Sequence, residues 1–295
     1  MGDYASWELE EGEEIVPGRT ALKPIGGGNR YEVYLVWDEH LYSLGVAKVL
    51  RPDQADDDRA LRDLEREAEA LGALAHPVLI RHFDAVLEGE RPHILIEHLE
   101  GPSLRRLIKR GGALALEQAL PLAIHVAGAL QYMANDGYVH LDCKPDNIVM
   151  GVPPRLIDLS IARTVERAAR SRGPLGTAAY QAPEQCGDDS APGPIGPPAD
   201  AWGLGATLFH AVAGETPFRG GKRKASGADR YPQLVDDHRP LPDHLPEALR
   251  ELLSDLLTKD PAARPTCAEA IERLEPVLAN LPSTMTFTPR GVLGS

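Results

Sequence analysis

Val139-His140-Leu141-Asp142-Cys143-Lys144-Pro145-Asp146-Asn147-Ile148-Val149 sets an acid, a lysine and an amide into one loop between a helical run and a short apolar stretch. A carboxylate such as Asp142 can orient or deprotonate a hydroxyl nucleophile. Lys144 can offset charge on a transferring phosphoryl group, and the Asn147 carbonyl can bind Mg²⁺. The apolar run Leu156-Ile157-Asp158-Leu159-Ser160 then delivers one more acid. Two oxygen ligands from adjacent loops, Asn147 and Asp158, suit a magnesium ion shared with ATP. Each acid alone reads as a turn or cap residue; the ordered set does not.

Upstream of this loop the chain is strand-rich. Thr20 to Ile25 and Glu32 to Asp38 flank the cluster Gly26-Gly27-Gly28 as a hairpin would, and Leu44 to Leu50 is a further strand. The glycines alone make an ordinary turn. No Gly-Lys-Ser/Thr follows them and they open no helix, so neither a P-loop nor a dinucleotide fingerprint is present. Asp56 to Ala75 switches to helical spacing, with Leu61, Leu64, Ala68, Leu71 and Leu74 in phase and His76-Pro77 as the stop. Strands are predicted near Ile80 to Glu88 and His93 to Glu97. Downstream, helices are predicted over Leu116 to Asn135, Ala201 to Ala213, Leu245 to Thr258 and Thr266 to Leu278, with a Pro/Gly-rich loop from Gly187 to Pro198. A strand-rich front and a helical back imply an α+β protein of two lobes meeting at a cleft.

The chain has 295 residues, 43% apolar and 25% charged, and a net charge of −13. That balance argues against nucleic acid and against an anionic membrane surface as partners. Cys143, Cys186 and Cys267 lie far apart with no metal-ligand spacing, as in a reducing compartment. The acidic N-terminus has no apolar core of a signal peptide, no run approaches the ~20 residues of a membrane span, and Gly2 with Ser6 is a weak myristoylation match. A cytoplasmic protein is expected.

On these motifs the sequence resembles the eukaryotic-type protein kinases, the bacterial serine/threonine members in particular, from about Val16 to about Leu281. The resemblance implies a bilobal protein kinase fold: a small β-rich N-lobe (about 16–96) with helix αC, a hinge (about 97–101) and a larger, mainly helical C-lobe (about 102–281). Residues 1–15 would be an acidic extension and 282–295 a flexible tail, with Thr284, Thr286 and Thr288 open to self-phosphorylation. Gly26 to Val33 resembles the glycine-rich loop over the ATP phosphates, which makes Ile25, Gly26, Gly27, Gly28, Asn29, Arg30, Tyr31 and Val33 nucleotide-binding. Lys48 in Val46-Ala47-Lys48 matches the phosphate-pairing lysine, and Glu67 the glutamate that holds it. Asp142 matches the catalytic aspartate, Lys144 its partner lysine, and Asn147 and Asp158 the Mg²⁺ ligands.

The same resemblance implies Ile96 as gatekeeper and Glu97, His98 and Leu99 as the hinge, with Val33, Ala47 and Val149 around the adenine. Gly176-Thr177-Ala178-Ala179-Tyr180-Gln181-Ala182-Pro183-Glu184 resembles the end of an activation segment, and Glu184 is expected to pair with Arg264. Lys144 and Thr177 favour serine/threonine over tyrosine as acceptor. The implied function is transfer of the ATP γ-phosphate to proteins, the chain itself included.

Three positions depart from the family pattern. Tyr31 replaces a loop glycine, which should stiffen the loop and narrow access to the phosphates; Arg30 beside it is expected in solvent. Leu141 stands where regulated kinases carry the arginine that grips a phosphorylated activation loop, so activity should depend little on phosphates at Thr164 or Ser171. Ser160 replaces a glycine and should restrain Asp158 from flipping. The rival readings are a nucleotide-binding pseudokinase, and a small-molecule kinase, which would lack the Ala182-Pro183-Glu184 platform.

Overall fold

The alternation read along the front of the chain builds one antiparallel sheet. The computed structural model describes residues 4–188, 192–222 and 224–281. Strands β1 (Glu14–Val16), β2 (Arg19–Gly27), β3 (Tyr31–Asp38) and β4 (Ser43–Leu50) precede helix α1 (Asp58–Ala73), and β5 (His82–Val86) and β6 (His93–Glu97) follow it. The six strands lie in the order β1-β2-β3-β4-β6-β5. β3 and β4 pair in unbroken register, whereas β2 carries two irregularities on its way to the glycine cluster. Gly27 is required there: it sits at φ +146°, and a Cβ would lie 2.7 Å from the Tyr31 carbonyl oxygen. Helix α1 starts where the Asp57 carboxylate accepts the Ala60 N–H at 2.7 Å, and it buries Ala60, Leu64, Glu67, Ala70 and Leu71.

The N-terminal segment is not an appendage ending at residue 15. The Trp7 indole donates to the Leu50 carbonyl at 2.6 Å, β1 already begins at Glu14, and Leu9 and Ile15 are buried with Ala21, Tyr34 and Val36 on the outer face of the sheet. Arg19 of β2 reaches both Asp38 of β3 and Asp84 of β5 at 2.9 Å.

The larger lobe contains α2 (Leu104–Gly111), α3 (Leu116–Asn135), β7 (Tyr138–Val139), β8 (Ile148–Val149), β9 (Arg155–Leu156), β10 (Arg163–Thr164), α4 (Val165–Ala169), α5 (Pro197–Ala213), α6 (Gly227–Arg230), α7 (Glu247–Leu256) and α8 (Cys267–Ala279). β8 pairs with β9 and β7 with β10. Helix α3 spans the predicted residues and is buried along most of its length, as an almost uncharged helix should be. Helix α5 starts one turn earlier than predicted. Pro197-Pro198 fit its first turn, where N–H groups have no helical partner. Thr266 and Glu269 cap α8 reciprocally.

The three thiols are buried and unpaired, and burial pushes all of them up, Cys186 to about 12. No helix among the described residues is long and apolar enough to cross a membrane. The predicted tail from residue 282 lies outside the described residues.

The Glu184–Arg264 pair forms as expected, bidentate at 2.6 and 2.8 Å with both side chains fully buried. Arg264 also donates to the carbonyls of Thr258, Pro198 and Lys259, so all five of its N–H donors are used. Removing one partner leaves an uncompensated buried charge. We expect Arg264→Leu to destabilise the fold by about 3–5 kcal/mol; a urea midpoint equal to the parent's would contradict this.

Candidate active site

The loop after β7 is held from above and below. Leu141 sits at φ +68°, a costly conformation for a leucine. The buried Asp200 carboxylate, in the first turn of α5, accepts the N–H groups of His140 and Leu141, each at 2.7 Å. Gln185 donates to the Leu141 carbonyl at 2.8 Å. The Leu141 side chain lies in the main core, 3% exposed, where the family arginine would be polar.

These bonds present Asp142 to the cleft. Its Oδ1 accepts the Thr177 N–H at 3.0 Å, and its Oδ2 accepts Lys144 Nζ at 2.6 Å and Asn147 Nδ2 at 3.2 Å. Lys144 Nζ also donates to Thr177 Oγ1 at 2.6 Å. With its amide nitrogen turned to Asp142, Asn147 keeps its carbonyl oxygen for another partner. Across the cleft, Lys48 of β4 donates to both Glu67 oxygens, at 2.8 and 2.7 Å, and lies 3.4 Å from Asp158 Oδ1.

Burial alone would pull the Lys48 ammonium down. The carboxylates of Glu67 and Asp158 outweigh it and hold Lys48 above the usual lysine range. Burial would likewise raise Asp158, but Lys48 keeps its carboxyl down at about 2. Both groups are therefore charged at neutral pH.

A cavity of about 500 Å³ opens between the lobes, with Ile25, Val33, Val46, Leu99 and Val149 on its apolar walls and Lys48, Glu67, Asn147 and Asp158 at its inner end. Ile96, Glu97 and His98 also line it. Among the described residues three further cavities of similar size lie elsewhere, one between α1 and the Arg163–Arg167 segment, one behind α1 near His76 and one between α7 and α8, and none of them contains Lys48 or Asp158. Among the described residues no three His, Cys, Asp or Glu form a self-contained metal cage. The oxygen donors Asp158 and Asn147 fit a hard cation that takes its remaining ligands from phosphates and water.

Several expectations need correction. Ala47 does not face the cavity: it is fully buried on the opposite side of the sheet, with Tyr34 and Val36. Strand alternation puts Val46 beside Lys48 on the cleft face, and the two-residue period was the signal that identifies it. Gly26 and Gly27 end β2 and, with Gly28 and Asn29, lead into the β2–β3 turn, and none of the four lines the cavity. Arg30 is not turned to solvent; its guanidinium lies 2.5 Å from Asp63 of α1. Tyr31 places its ring 4.5 Å from Lys48 Nζ, and burial pushes its phenol up to about 12. At Asp158-Leu159-Ser160 the positive φ, +67°, belongs to Asp158 and not to Ser160, so the serine meets no penalty of the kind expected.

The activation segment is pinned at its end. Arg105 donates to the Tyr180 oxygen at 3.4 Å, and the Tyr180 hydroxyl lies 2.6 Å from His210 Nδ1. With Arg105 donating, the phenol proton goes to a neutral imidazole. Thr164 caps α4, and Ser171 Oγ accepts from Arg163 at 3.0 Å.

The family model for the protein kinase domain matches residues 19–274. The chain is 29% identical over 263 residues to a probable serine/threonine-protein kinase PknB of Bifidobacterium longum, covering 83% of this chain and 37% of that protein. It is 31% identical over 205 residues to the serine/threonine-protein kinase PknB of Mycobacterium leprae, covering 66% of this chain and 32% of the relative. Against a probable serine/threonine-protein kinase PkwA of Thermomonospora curvata the figure is 32% over 268 residues, 88% of this chain and 34% of the other. The chain thus spans about a third of the length of the curated relatives it matches.

Burial, with Arg105 adding to it, pulls the His210 imidazole from an ordinary 6.5 down to about 4. Between those values the unfolded chain binds a proton at this site that the folded chain refuses, so stability falls as pH falls from 6.5 to 4 and is level above 6.5. In urea melts at pH 7 and pH 5, His210→Gln should show a smaller loss than the parent. An equal loss in both would remove His210 as the cause.

Proposed function

This chain belongs to the protein kinase family, and from that premise we propose that it transfers the γ-phosphoryl group of ATP to serine and threonine hydroxyls of proteins, itself included. The observation that carries the proposal is the contact set around Asp142. One of its oxygens is held by the Thr177 N–H, and the other by Lys144, which also holds the Thr177 hydroxyl.

In this reading Asp142 accepts or orients the acceptor's proton, within reach of a hydroxyl lying along the Thr177 segment. Lys144 stands ready to offset charge as the phosphoryl group moves. Lys48, fixed by Glu67, pairs with the α- and β-phosphates of the nucleotide. The apolar walls at Val33, Val46 and Val149 take the adenine, and the backbone at Glu97 and Leu99 its polar edge. A magnesium ion at Asn147 and Asp158, when bound, neutralises phosphate charge. The bidentate Glu184–Arg264 pair supports a rigid platform for a protein segment, as protein substrates require and small molecules do not. A protein that only bound nucleotide would leave the Lys144–Asp142–Thr177 contacts without a use. Reduced, buried thiols support action inside the cell.

Asp142→Asn keeps the shape and removes the base. We expect phosphoryl transfer from radiolabelled ATP to a generic basic protein to fall by about 10²–10⁴-fold while ATP binding persists. Label retained at the parent's rate would rule out Asp142 in this role.

Because the Leu141 side chain is apolar and core-packed, it offers no cation to an activation-loop phosphate. The double variant Thr164→Ala/Ser171→Ala is therefore expected to keep most of the parent's rate. A folded double variant without activity would show instead that one of these hydroxyls is an obligatory switch.

A further inference from the structure

The loop over the cavity is fixed at its base. The Gly28 N–H bonds the Tyr31 carbonyl at 2.9 Å, closing a tight turn. Arg51, just past β4, donates its backbone N–H to the Arg30 carbonyl at 2.9 Å and its Nε to the Gly28 carbonyl at 2.7 Å. The Arg51 guanidinium is itself held, by Glu32 at 3.0 Å and by the Ala5 carbonyl at 2.7 Å. The peptide that carries Arg30 is thus pinned by its neighbours, and its side chain leaves from a defined point.

From there Arg30 crosses to α1, where its Nη1 meets Asp63 Oδ2 at 2.5 Å, both side chains being part-buried. Asp63 and Glu67 are one helical turn apart on the same face. One turn of α1 therefore carries two acids that reach two different parts of the sheet: Glu67 holds Lys48 of β4, and Asp63 holds the tip of the β2–β3 loop. A shift of α1 away from the sheet breaks both contacts together, and lifting the loop breaks the Arg30 contact first.

We propose that Arg30 and Asp63 are positioning residues, which couple closure of the loop over ATP to the placement of Glu67 on Lys48. Neither touches the reacting atoms; they act through the loop and through α1. A closed loop favours the helix position in which Lys48 is held for the phosphates, and that helix position favours the closed loop. The coupling is a reciprocal binding free energy, so ATP affinity reports it as well as turnover does. It rests on the assignment of Lys48 and the loop to the ATP phosphates.

The test is a charge-swap cycle. Arg30→Asp, Asp63→Arg and the double reversal are compared with the parent for kcat/KM towards ATP, ATP affinity by calorimetry, KM for a generic basic protein, and melting temperature. Each single variant should lower kcat/KM and affinity for ATP by about fivefold, near the upper end of what a part-exposed ion pair supplies. The KM for the protein acceptor and the melting temperature should hardly move, and the double reversal should recover most of the loss. Asp63 also accepts from Arg66 at 2.6 Å; Arg66→Ala, which removes only that contact, should stay within about twofold of the parent.

Singles that match the parent would overturn the coupling. So would a loss that the double reversal fails to recover, or one that simply follows the melting temperature. A parent that binds ATP and transfers no phosphate would sink the proposed activity instead, while the affinity series still tests the coupling.

Discussion

One carboxylate holds the site together. Asp200 is buried at the start of α5 and accepts two consecutive peptide N–H groups from the loop that carries Asp142. Without those acceptors, and without Gln185 on the Leu141 carbonyl, a leucine at φ +68° has little reason to stay there. The strain at Leu141 is what turns Asp142 towards the cleft, and the large helical lobe supplies the stabilisation that offsets it. The same lobe brings Thr177 onto Asp142, because the activation segment ends in the Glu184–Arg264 pair. Backbone strain, a buried acid and a buried ion pair are three parts of one support.

The second half of the site is electrostatic. Lys48, Glu67 and Asp158 form a small group in which burial disfavours every charge and the opposite charges outweigh it for Lys48 and Asp158. Such a group is stable only while its members stay close. It makes a sensitive join between a sheet, a helix and a loop from the other lobe, each of which contributes one member. Tyr31 closes this group on the loop side, with its ring against the Lys48 ammonium.

Much of this was legible because the chemistry and the spacing agree locally. The loop of Asp142, Lys144 and Asn147, the lysine of β4 and the acid of α1 are each identified by a short motif, and the helix α3 by an apolar run too long for a strand. What could not be read depended on contacts distant in sequence. Arg30 meets an acid thirty-three residues later, on a helix whose rotation no local pattern reports. The N-terminal segment reads only as an acidic extension, yet Trp7 and Leu9 pack against residues from β2 to β6. Ala47 differs in kind: the two-residue alternation of β4 already places it on the face opposite Lys48, with Val46 on the cleft side. At Ser160, a glycine-based expectation failed because the left-handed residue is the aspartate two places earlier.

The three buried thiols have a practical side. Each is packed away from solvent and kept in its protonated form, and the protonated form does not react with electrophiles. The native chain is thereby a silent background for maleimide labelling. Cysteines introduced at two open positions, such as the exposed Tyr42 and Val235, would carry a pair of probes alone, and the distance between the two lobes becomes measurable without first stripping out native sulfur.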